Sequence, residues 1–471
     1  MNRRRFIRRT GRYSLGFLGL QTLALGCMSE PTTSTQRSPG FEHPGYGPLQ
    51  EDPAGILNLP DGFNYKIISR QGDTMSDGLL VPGAGDGMAT FAAPDQKIII
   101  IRNHEISPGD MARGAFGKTN ELIGKIPQEK FYDFGSGTKT CLGGTSTLVY
   151  DPASGKVELE YLSLAGTIRN CAGGLTPWNS WITCEENTNG PNDELEKWHG
   201  YNFEVPASVT PTLFDPVPLT AMGRFNHEAV CVDPRTGIVY QTEDRGDGLI
   251  YRYLPKVKGD LKAGGTLQIL AIKGQPGFET RNWADLPGDK MPVSQKFAVE
   301  WLDIDGIDAP DDDLRLRGFA KGAARFARGE GIWFGDNEFY FACTNGGREE
   351  HGQIFRYIPS AREGQPGEKE DPATLEIFIE PNNLELVESC DNVTIASHGD
   401  LVICEDKQTP RIVGVTPEGG IYHIAKNVGY LSEFAGATFS PDGQILFVNI
   451  QGPGLTLAVT GPWATRSEMP A

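Results

Sequence analysis

Residues 170–187 read NCAGGLTPWNSWITCEEN, and the rest of the chain can be interpreted outward from this stretch. A turn rich in glycine and proline is followed by a short alternating strand, Trp181 to Thr183. The strand ends in Cys184, Glu185 and Glu186, which places a thiol beside two carboxylates. Adjacent acids repel each other, so the pair is costly unless water solvates it or a cation binds it. On this triplet alone, a solvated loop with a stray cysteine and a metal site remain equal alternatives.

The same arrangement, an apolar strand with a polar end, recurs along the chain. Six strand-like runs share it, several of them after a Gly- or Pro-containing turn: Ile98 to Glu105, Trp181 to Glu186, Ile238 to Arg245, Phe339 to Asn345, Leu401 to Asp406 and Ile445 to Asn449. Irregularly spaced copies of one turn–strand–turn–strand unit are typical of a β-propeller. The sequence therefore predicts an all-β fold, a six-bladed β-propeller with long insertions between its blades.

Equivalent strand ends of a propeller meet at one face of its central channel, so their acids should converge there. The predicted set is Glu105, Glu185, Glu243, Asp244, Glu405 and Asp406. Unpaired carboxylates at this density repel strongly, and a buried metal cluster would remove the repulsion. Two further acids precede strands, Glu228 within GRFNHEA and Glu330 within RGEG. Each alone would be an exposed turn acid, but their position in the repeat also allows a ligand role.

The donor types indicate which ions such a cluster would hold. Carboxylates suit iron, manganese or calcium, whereas the Cys184 thiolate is a soft ligand that calcium does not use. A mixed cluster follows, with a thiolate for a transition metal and surplus acids for calcium. The histidines are too scattered for an imidazole-based zinc site. Apart from Cys27 the chain has seven cysteines, an odd number that leaves at least one unpaired in an exported protein.

Composition narrows the class of protein further. The chain has 471 residues, among them 59 Gly and 33 Pro, without any long helical periodicity, which favours many short strands and turns. The net charge of −18 comes without a basic stripe, so nucleic acid is not an expected partner. No CxxC pair, Walker loop or G-x-S-x-G elbow occurs, which leaves nucleotide-binding and serine-hydrolase functions without support.

The N-terminus has the layout of an export signal. Paired arginines in Arg3 to Arg8 precede an apolar stretch from about Leu15 to Gly26, which is too short to span a membrane. Residues 1–27 are thus predicted to be a twin-arginine signal, read by the twin-arginine translocase, for a periplasmic or secreted protein without a transmembrane span. That route carries folded proteins, which suits a chain that acquires its cofactor in the cytoplasm. Cys27 matches a lipoprotein cleavage box only loosely, so a lipid anchor is the less favoured alternative.

The remaining chain divides simply. Residues 28–50, rich in Ser, Thr, Pro and Gly, are predicted to be a flexible leader. Residues 51–471 are predicted to form a single β-propeller domain, and we expect a monomer.

Long motifs in a fixed order resemble the PhoX-type alkaline phosphatases over nearly the whole chain after the signal. They are RNHE at Arg102 to Glu105, NCAGG…TPW…TCEEN at Asn170 to Asn187, RFNHEAV at Arg224 to Val230, TEDRGDGLIYRY at Thr242 to Tyr253, RGEG at Arg328 to Gly331 and CED at Cys404 to Asp406. The resemblance implies a six-bladed propeller that hydrolyses phosphomonoesters outside the cytoplasm. It also implies a cofactor of two Fe³⁺ and several Ca²⁺ ions around a bridging oxo group.

The resemblance further implies roles for individual residues. Cys184 would ligate iron, Glu228 and Glu330 would be acids of the cluster, and Arg328 would grip the phosphate. The other cluster acids, Glu105, Glu185, Glu243, Asp244, Glu405 and Asp406, would bind iron or calcium. In this scheme a metal-bound oxo or hydroxide group attacks in line and no protein side chain acts as the nucleophile.

Two alternatives stay open at this point. A non-catalytic propeller stabilised by calcium could bind a partner in the cell envelope, and only the cysteine argues against it. A metallohydrolase acting on diesters or phytate would carry the same metal motifs, because specificity would lie in the insertions between blades.

Overall fold

The computed structural model describes residues 39–136 and 139–463, which belong to one compact unit. In this part of the chain 27 strands accompany a single α-helix, α1 (Leu314–Lys321). Short 3-10 turns occupy Pro94–Gln96, Ile123–Lys125, Gln128–Lys130 and Thr220–Met222. The prediction of an all-β fold is confirmed. The predicted export signal, residues 1–27 with Cys27, lies outside the described residues.

The strands follow one another as antiparallel meanders. The N-terminal strands are β1 (Phe41–Glu42), β2 (Leu49–Gln50), β3 (Leu57–Pro60) and β4 (Asn64–Arg70). The first meander comprises β5 (Gly85–Ala92), β6 (Ile98–His104), β7 (Gly143–Asp151) and β8 (Lys156–Thr167), and the second comprises β9 (Asn170–Leu175), β10 (Ser180–Glu185) and β11 (Asn202–Pro206). The third comprises β12 (His227–Val232), β13 (Val239–Glu243), β14 (Ile250–Val257), β15 (Asp260–Ile272) and β16 (Phe297–Asp303).

Three further meanders complete the described chain. The fourth comprises β17 (Gly329–Phe334), β18 (Phe339–Cys343), β19 (Gln353–Ile358) and β20 (Thr374–Ile379), and β16 pairs with β20 to join it to the third. The fifth comprises β21 (Cys390–Ile395), β22 (Leu401–Glu405), β23 (Arg411–Val415) and β24 (Gly420–Asn427). The sixth comprises β25 (Phe434–Phe439), β26 (Ile445–Ile450) and β27 (Leu455–Thr460), and β4 adds its fourth strand.

The first strands of the meanders pack against one another in order, β5 on β9, β9 on β12, β12 on β17, β17 on β21, β21 on β25 and β25 on β5. This closed circle of strands is hereafter the inner ring. The six strand-like runs predicted from the sequence are the second strands, β6, β10, β13, β18, β22 and β26. They therefore lie directly outside the inner ring.

Apolar side chains fill the space between neighbouring meanders. The run Ile98 to Ile101 is buried along its whole length, as expected for a strand with protein on both faces. Between the third and fourth meanders, the rings of Phe326, Phe341 and Phe355 pack within one buried cluster. Each fully buried side chain of this size contributes about 1.5–3 kcal/mol by leaving water. The packing holds the inner ring, and hence the site at its end, in a fixed position.

The end of the predicted leader belongs to the folded unit. Within it, β1 pairs in parallel with β24, and β2 pairs with β3. The Tyr46 ring packs edge-on against Phe63 and Trp463, with centroid distances of 4.9 and 5.8 Å. Residues 41–50 are therefore ordered by strand pairing and aromatic packing, which corrects the expectation of a flexible leader up to residue 50. Within the two described ranges, no helix is long and apolar enough to cross a membrane.

Candidate metal centre

Every strand of the inner ring carries a β-bulge near its start. In β5, Gly85 pairs with His104 and Met88 pairs with Arg102. The chain therefore advances three residues on β5 for two residues on β6, which leaves one extra residue on β5. The other five strands show the same shift. The first extra residues of the six bulges are Asp86, Cys171, Glu228, Glu330, Asp391 and Gly436. A bulge re-aims a side chain out of the regular alternation, and here five of six positions carry a possible metal ligand.

The second strands add acids at the same end of the molecule. On four second strands, one residue pairs with the inner-ring residue just before the bulge, and an acid comes directly after it. These acids are Glu105, Glu186, Asp244 and Asp406. Glu433, just before β25, interacts with Asp406. These residues and the five ligand-type bulge residues are hereafter the acidic centre.

Ligand atoms of the acidic centre form three overlapping groups, and in each group all the atoms lie within 4.8 Å of one another. The groups are Asp86, Glu105 and Cys171; Cys171, Glu186 and Glu228; and Glu228, Glu330 and Asp391. Because Cys171 belongs to two groups, as does Glu228, the groups form one continuous chain of donors rather than three separate sites.

Burial raises the pKa of several acids of the centre. Burial is the largest cause of a raised pKa at Asp86, Glu228, Glu330 and Asp391, and repulsion from neighbouring acids adds to it. Burial also raises the pKa of Glu186 to about 7 and that of Glu433 to about 10. The pKa of the Cys171 thiol is raised as well, by burial and then by the charges of Asp86 and Glu228. Bound cations would reverse each of these effects.

Unpartnered atoms support the same interpretation. Asp86 Oδ1 and Glu228 Oε1 are buried without a hydrogen-bond partner. A buried acceptor without a donor is costly, and a metal ion would satisfy it. Hard carboxylate oxygens suit calcium and ferric iron, and one thiol adds a soft donor for the transition metal. The residues present therefore fit a mixed multinuclear site.

Polar side chains link the acids into an arc. On one side, Gln451 Nε2 donates to Asp86 Oδ2 at 2.7 Å and to Glu105 Oε2 at 3.0 Å. Arg169 links two of the acids through its Nη2 group. Nη2 lies 2.7 Å from Glu105 Oε1 and also donates to Glu186. These bonds fix the acids of the first two meanders relative to each other.

The arc continues through the third and fourth meanders. Asn226 Nδ2 donates to Glu186 Oε1 and to the Asp244 backbone oxygen, both at 3.0 Å. Arg328 Nε donates to Asp244 Oδ1 at 2.8 Å, and its Nη2 donates to Glu330 Oε1 at 2.7 Å. Five predicted residues, Glu105, Glu228, Asp244, Arg328 and Glu330, are thus brought together, and Asp406 joins them through Glu433.

Cys184 does not lie in the acidic centre. It is fully buried in an apolar cluster with Ile182, Leu219 and Met222, between the second and third meanders. Side chains alternate along a strand, so Cys184 shares the apolar face of Ile182. The cysteine among the ligand groups is Cys171, which corrects the prediction. It could have been suspected, because it stands in the same NCAGG motif.

Three predicted acids also bind elsewhere. Glu185 accepts hydrogen bonds from His199 Nδ1 at 2.7 Å and from the Gly200 amide at 2.9 Å. Glu243 accepts from the Tyr251 hydroxyl at 2.8 Å, and Glu405 accepts from Arg411 Nε at 2.8 Å. Each is the last residue of its strand and binds groups of its own meander, whereas the next residue along reaches the centre. The predicted ligand role of Glu185, Glu243 and Glu405 is therefore corrected to a structural one, as hydrogen-bond acceptors within their own meanders.

Sequence reasoning missed five members of the acidic centre: Asp86, Cys171, Glu186, Asp391 and Glu433. A signal for the bulges exists, since most bulge residues precede Gly or Ala. A Cβ at Gly87 would lie 2.7 Å from Ala172 Cα, and one at Gly331 would lie 2.6 Å from the Val393 nitrogen. Small residues thus let the inner-ring backbones meet, leaving a void of about 20 Å³ beneath the bulges.

A fourth group of ligand-type atoms, from Asp133, Cys141 and His199, lies apart from the acidic centre. Although burial lowers the pKa of His199, the charge of Glu185 and the hydrogen bond to Asp133 raise it to about 11. Asp133 also accepts three backbone amides, from residues 135, 196 and 197. The hydrogen bonds of His199 to Glu185 and Asp133 favour a structural role for this group. All seven described cysteines are free thiols.

Comparison with known proteins gives a consistent result. The family model described as Alkaline phosphatase PhoX matches residues 44–454. The solved structure of Pseudomonas fluorescens PhoX in complex with vanadate, a transition state analogue, has a TM-score of 0.61 at 18% identity, covering 90% of this chain and 98% of that one. A gluconolactonase from Xanthomonas campestris is more distant, with a TM-score of 0.38 at 12% identity over 90% of this chain and 97% of that one. No curated protein sequence matches the chain.

Proposed function

The chain belongs to the PhoX family of alkaline phosphatases, and from this premise we propose that it hydrolyses phosphomonoesters outside the cytoplasm at the acidic centre. One observation carries the proposal: the three ligand groups share Cys171 and Glu228, so several cations can be held side by side. Neighbouring metal ions are the usual means of stabilising phosphoryl transfer, since charge develops on several oxygens at once.

The proposed cofactors are Fe³⁺ and Ca²⁺. Cys171 would be the iron ligand, with Glu186 and Glu228 beside it, because calcium does not accept a thiolate. The remaining acids, Asp86, Glu105, Asp244, Glu330, Asp391 and Asp406, would complete the iron and calcium sites. When bound, these ions would neutralise the phosphoryl oxygens and supply the attacking oxygen.

The chain's own residues would bind and orient the substrate. Arg328 is anchored to Asp244 and Glu330 while 34% of its side chain remains exposed. It is therefore positioned to donate hydrogen bonds to a phosphoryl oxygen from the solvent side. The packed inner ring below the acidic centre would limit access to one side, where the leaving group faces solvent.

Architecture and export complete the proposal. We propose that the six meanders are the blades of a six-bladed β-propeller, which the closed inner ring and the repeated bulges support. Residues 1–27 would direct twin-arginine export to the periplasm or the exterior, with 28–40 as the leader and the remainder as one catalytic domain. We further propose that the enzyme acts as a monomer.

The alternative of a non-catalytic calcium-binding propeller is the less favoured function. A site for calcium alone would have no use for a thiol, yet Cys171 lies within 4.8 Å of acids on both sides. Activity on diesters or phytate would use the same acidic centre, so the substrate test includes a diester.

The test uses the full-length chain, exported by a host with a twin-arginine pathway and purified without chelator. Elemental analysis would be combined with hydrolysis of p-nitrophenyl phosphate and of bis(p-nitrophenyl) phosphate. We expect iron and calcium, preference for the monoester, and loss of turnover on chelation. Glu330→Gln should lose turnover, while the exposed Glu349→Gln should match the wild type. Calcium alone with no turnover would instead establish the binding propeller.

A further inference from the structure

One position of the repeat carries a side chain with N–H donors in three consecutive meanders. It lies two residues before the bulge residue and is occupied by Arg169, Asn226 and Arg328 in the second, third and fourth meanders. In the other three meanders it is occupied by Ala84, Ser389 and Phe434. The donors are therefore gathered on one side of the inner ring, where the arc of hydrogen bonds runs.

The two arginines share an uncommon backbone conformation. Arg169 has φ of 47° and Arg328 has φ of 50°, both in the left-handed region that non-glycine residues rarely occupy. Ala84 and Ser389, at the equivalent positions of the first and fifth meanders, share this conformation with φ of 45° and 52°, so it belongs to the backbone of the repeated bulge. Because the positions are equivalent, the two guanidinium groups are presented to the acidic centre in the same way.

Their contacts are similar, because each arginine binds the strand-end acid of the preceding meander and one acid of its own meander. Arg169 uses Nη2 for Glu105 and Glu186 and Nε for the Glu186 backbone oxygen. Arg328 uses Nε and Nη2 for Asp244 and Glu330. Among the described residues, the Nη1 group of each arginine has no hydrogen-bond partner. Each guanidinium is thus held by one edge and keeps a donor group for a ligand.

Exposure places the arginines above the acids. The Arg169 and Arg328 side chains are 37% and 34% exposed, whereas the carboxylates beneath Arg169 are 15% and 11% exposed. An anion that approaches the acidic centre from solvent therefore meets guanidinium groups first. In a chain with a net charge of −18, such local cations are what makes approach of a phosphate favourable.

We propose that Arg169 is a second phosphoryl-binding residue, which donates from Nη1 to a substrate oxygen while Arg328 donates to another. Asn226 donates to Glu186 and to the Asp244 backbone oxygen, and so links the acid bound by Arg169 to the acid bound by Arg328. The inference rests on the proposed function, since it assigns a residue to the same substrate. The ligand is a phosphate monoester dianion, whose several oxygens can accept from two guanidinium groups at once.

The test measures binding of inorganic phosphate by calorimetry, with metal content and steady-state hydrolysis as further readouts. The variants are Arg169→Ala, Arg169→Lys and Arg328→Ala in the metal-loaded enzyme. Arg113→Ala is the matched control, because Arg113 is an exposed arginine near Glu105 outside the arc. We expect Arg169→Ala to keep its iron and calcium and to bind phosphate about 10- to 100-fold more weakly. Arg169→Lys should recover part of the affinity, and Arg113→Ala should match the wild type.

Two results would overturn the inference. If Arg169→Ala keeps its metals and binds phosphate as the wild type does, Arg169 does not touch the substrate. If it loses its metals, Arg169 is a structural counter-ion of Glu105 and Glu186. A wild-type enzyme that binds phosphate through Arg169 but hydrolyses no ester would refute the proposed function and leave the Arg169 assignment standing.

Discussion

Glu185 and Glu186 are neighbours in sequence and belong to two different networks. Glu185 Oε1 accepts from His199 Nδ1 at 2.7 Å inside the second meander, and Glu186 Oε1 accepts from Asn226 Nδ2 at 3.0 Å in the acidic centre. The same division separates Glu405, bound to Arg411, from Asp406 in the fifth meander. One acid of each pair stabilises the scaffold, and the next supplies a charge to the site.

The two cysteines of the NCAGG…TCEEN motif should differ in their effect on the metals. We expect Cys171→Ala to lose most of its iron and at least about 10- to 100-fold in kcat/KM, because the soft ligand is removed. Cys184→Ala should keep its iron and lose about 1 kcal/mol of stability from the apolar cluster. Elemental analysis and denaturant unfolding of both variants check this. Iron loss from Cys184→Ala alone would reverse the assignment.

Substitutions of the two neighbouring acids of the fifth meander, Glu405 and Asp406, should likewise differ in their effects on stability and metal content. Glu405→Gln leaves the buried end of Arg411 without its counter-charge and should cost about 3–5 kcal/mol of unfolding free energy. Asp406→Asn should lower metal content and activity while costing the metal-free protein less stability than Glu405→Gln, because Asp406 interacts with another acid, Glu433, and leaves no buried cation unpaired. Denaturant unfolding in chelator, beside metal analysis, distinguishes the two. Equal destabilisation by both variants would contradict the division.

His199 should give the protein a pH-dependent stability on the alkaline side. Its pKa is about 11 in the folded protein against 6.5 ordinarily, so the folded state holds an extra proton between these values. The contribution is complete below pH 6.5 and is lost as pH rises through about 11. We expect the stability of the wild type to decline over this range and that of His199→Gln to decline less. Chemical unfolding at pH 7, 9 and 10 provides the measurement, and parallel profiles would refute it.

Removal of metal should make stability fall as pH rises from acid to neutral. Burial, opposed by the charge of Arg169, raises the pKa of Glu186 to about 7 from 4.5, so the metal-free folded state binds more protons than the unfolded chain in that interval. Unfolding free energy then decreases with rising pH. Added calcium should restore stability more at pH 8 than at pH 5, with protons released on binding. Thermal unfolding with and without calcium tests this, and Glu186→Gln should flatten the metal-free profile.

The second strands of the meanders could be predicted, because the local pattern of apolar and turn residues determines where they form. All six second strands carry an apolar run with a turn before or a polar residue after, and each forms as expected. A small residue follows most bulge positions of the inner ring, but this signal alone does not assign a bulge, because a bulge is defined by pairing with a second strand. This is why Asp86 and Asp391 were missed, and why Cys184 was chosen over Cys171.

The acids at the strand ends show a second limit. A shift of one residue reverses the face on which a side chain lies, so a motif such as TED or CED identifies the strand end without choosing between its acids. Hydrogen-bond partners outside the strand decide which acid is bound there. Tyr251 donates a hydrogen bond to Glu243, Arg411 donates one to Glu405, and Arg328 donates one to Asp244.

The pairing of β4 with β27 has a consequence for how the protein is made. Thr460 pairs with Asn64 and Leu455 with Arg70, so the sixth meander requires strands from both ends of the chain. During synthesis, β4 leaves the ribosome long before β27 and has no partner strand until β27 follows. A chain truncated before Leu455 would lack that partner, and we expect it to bind less iron than the full-length protein.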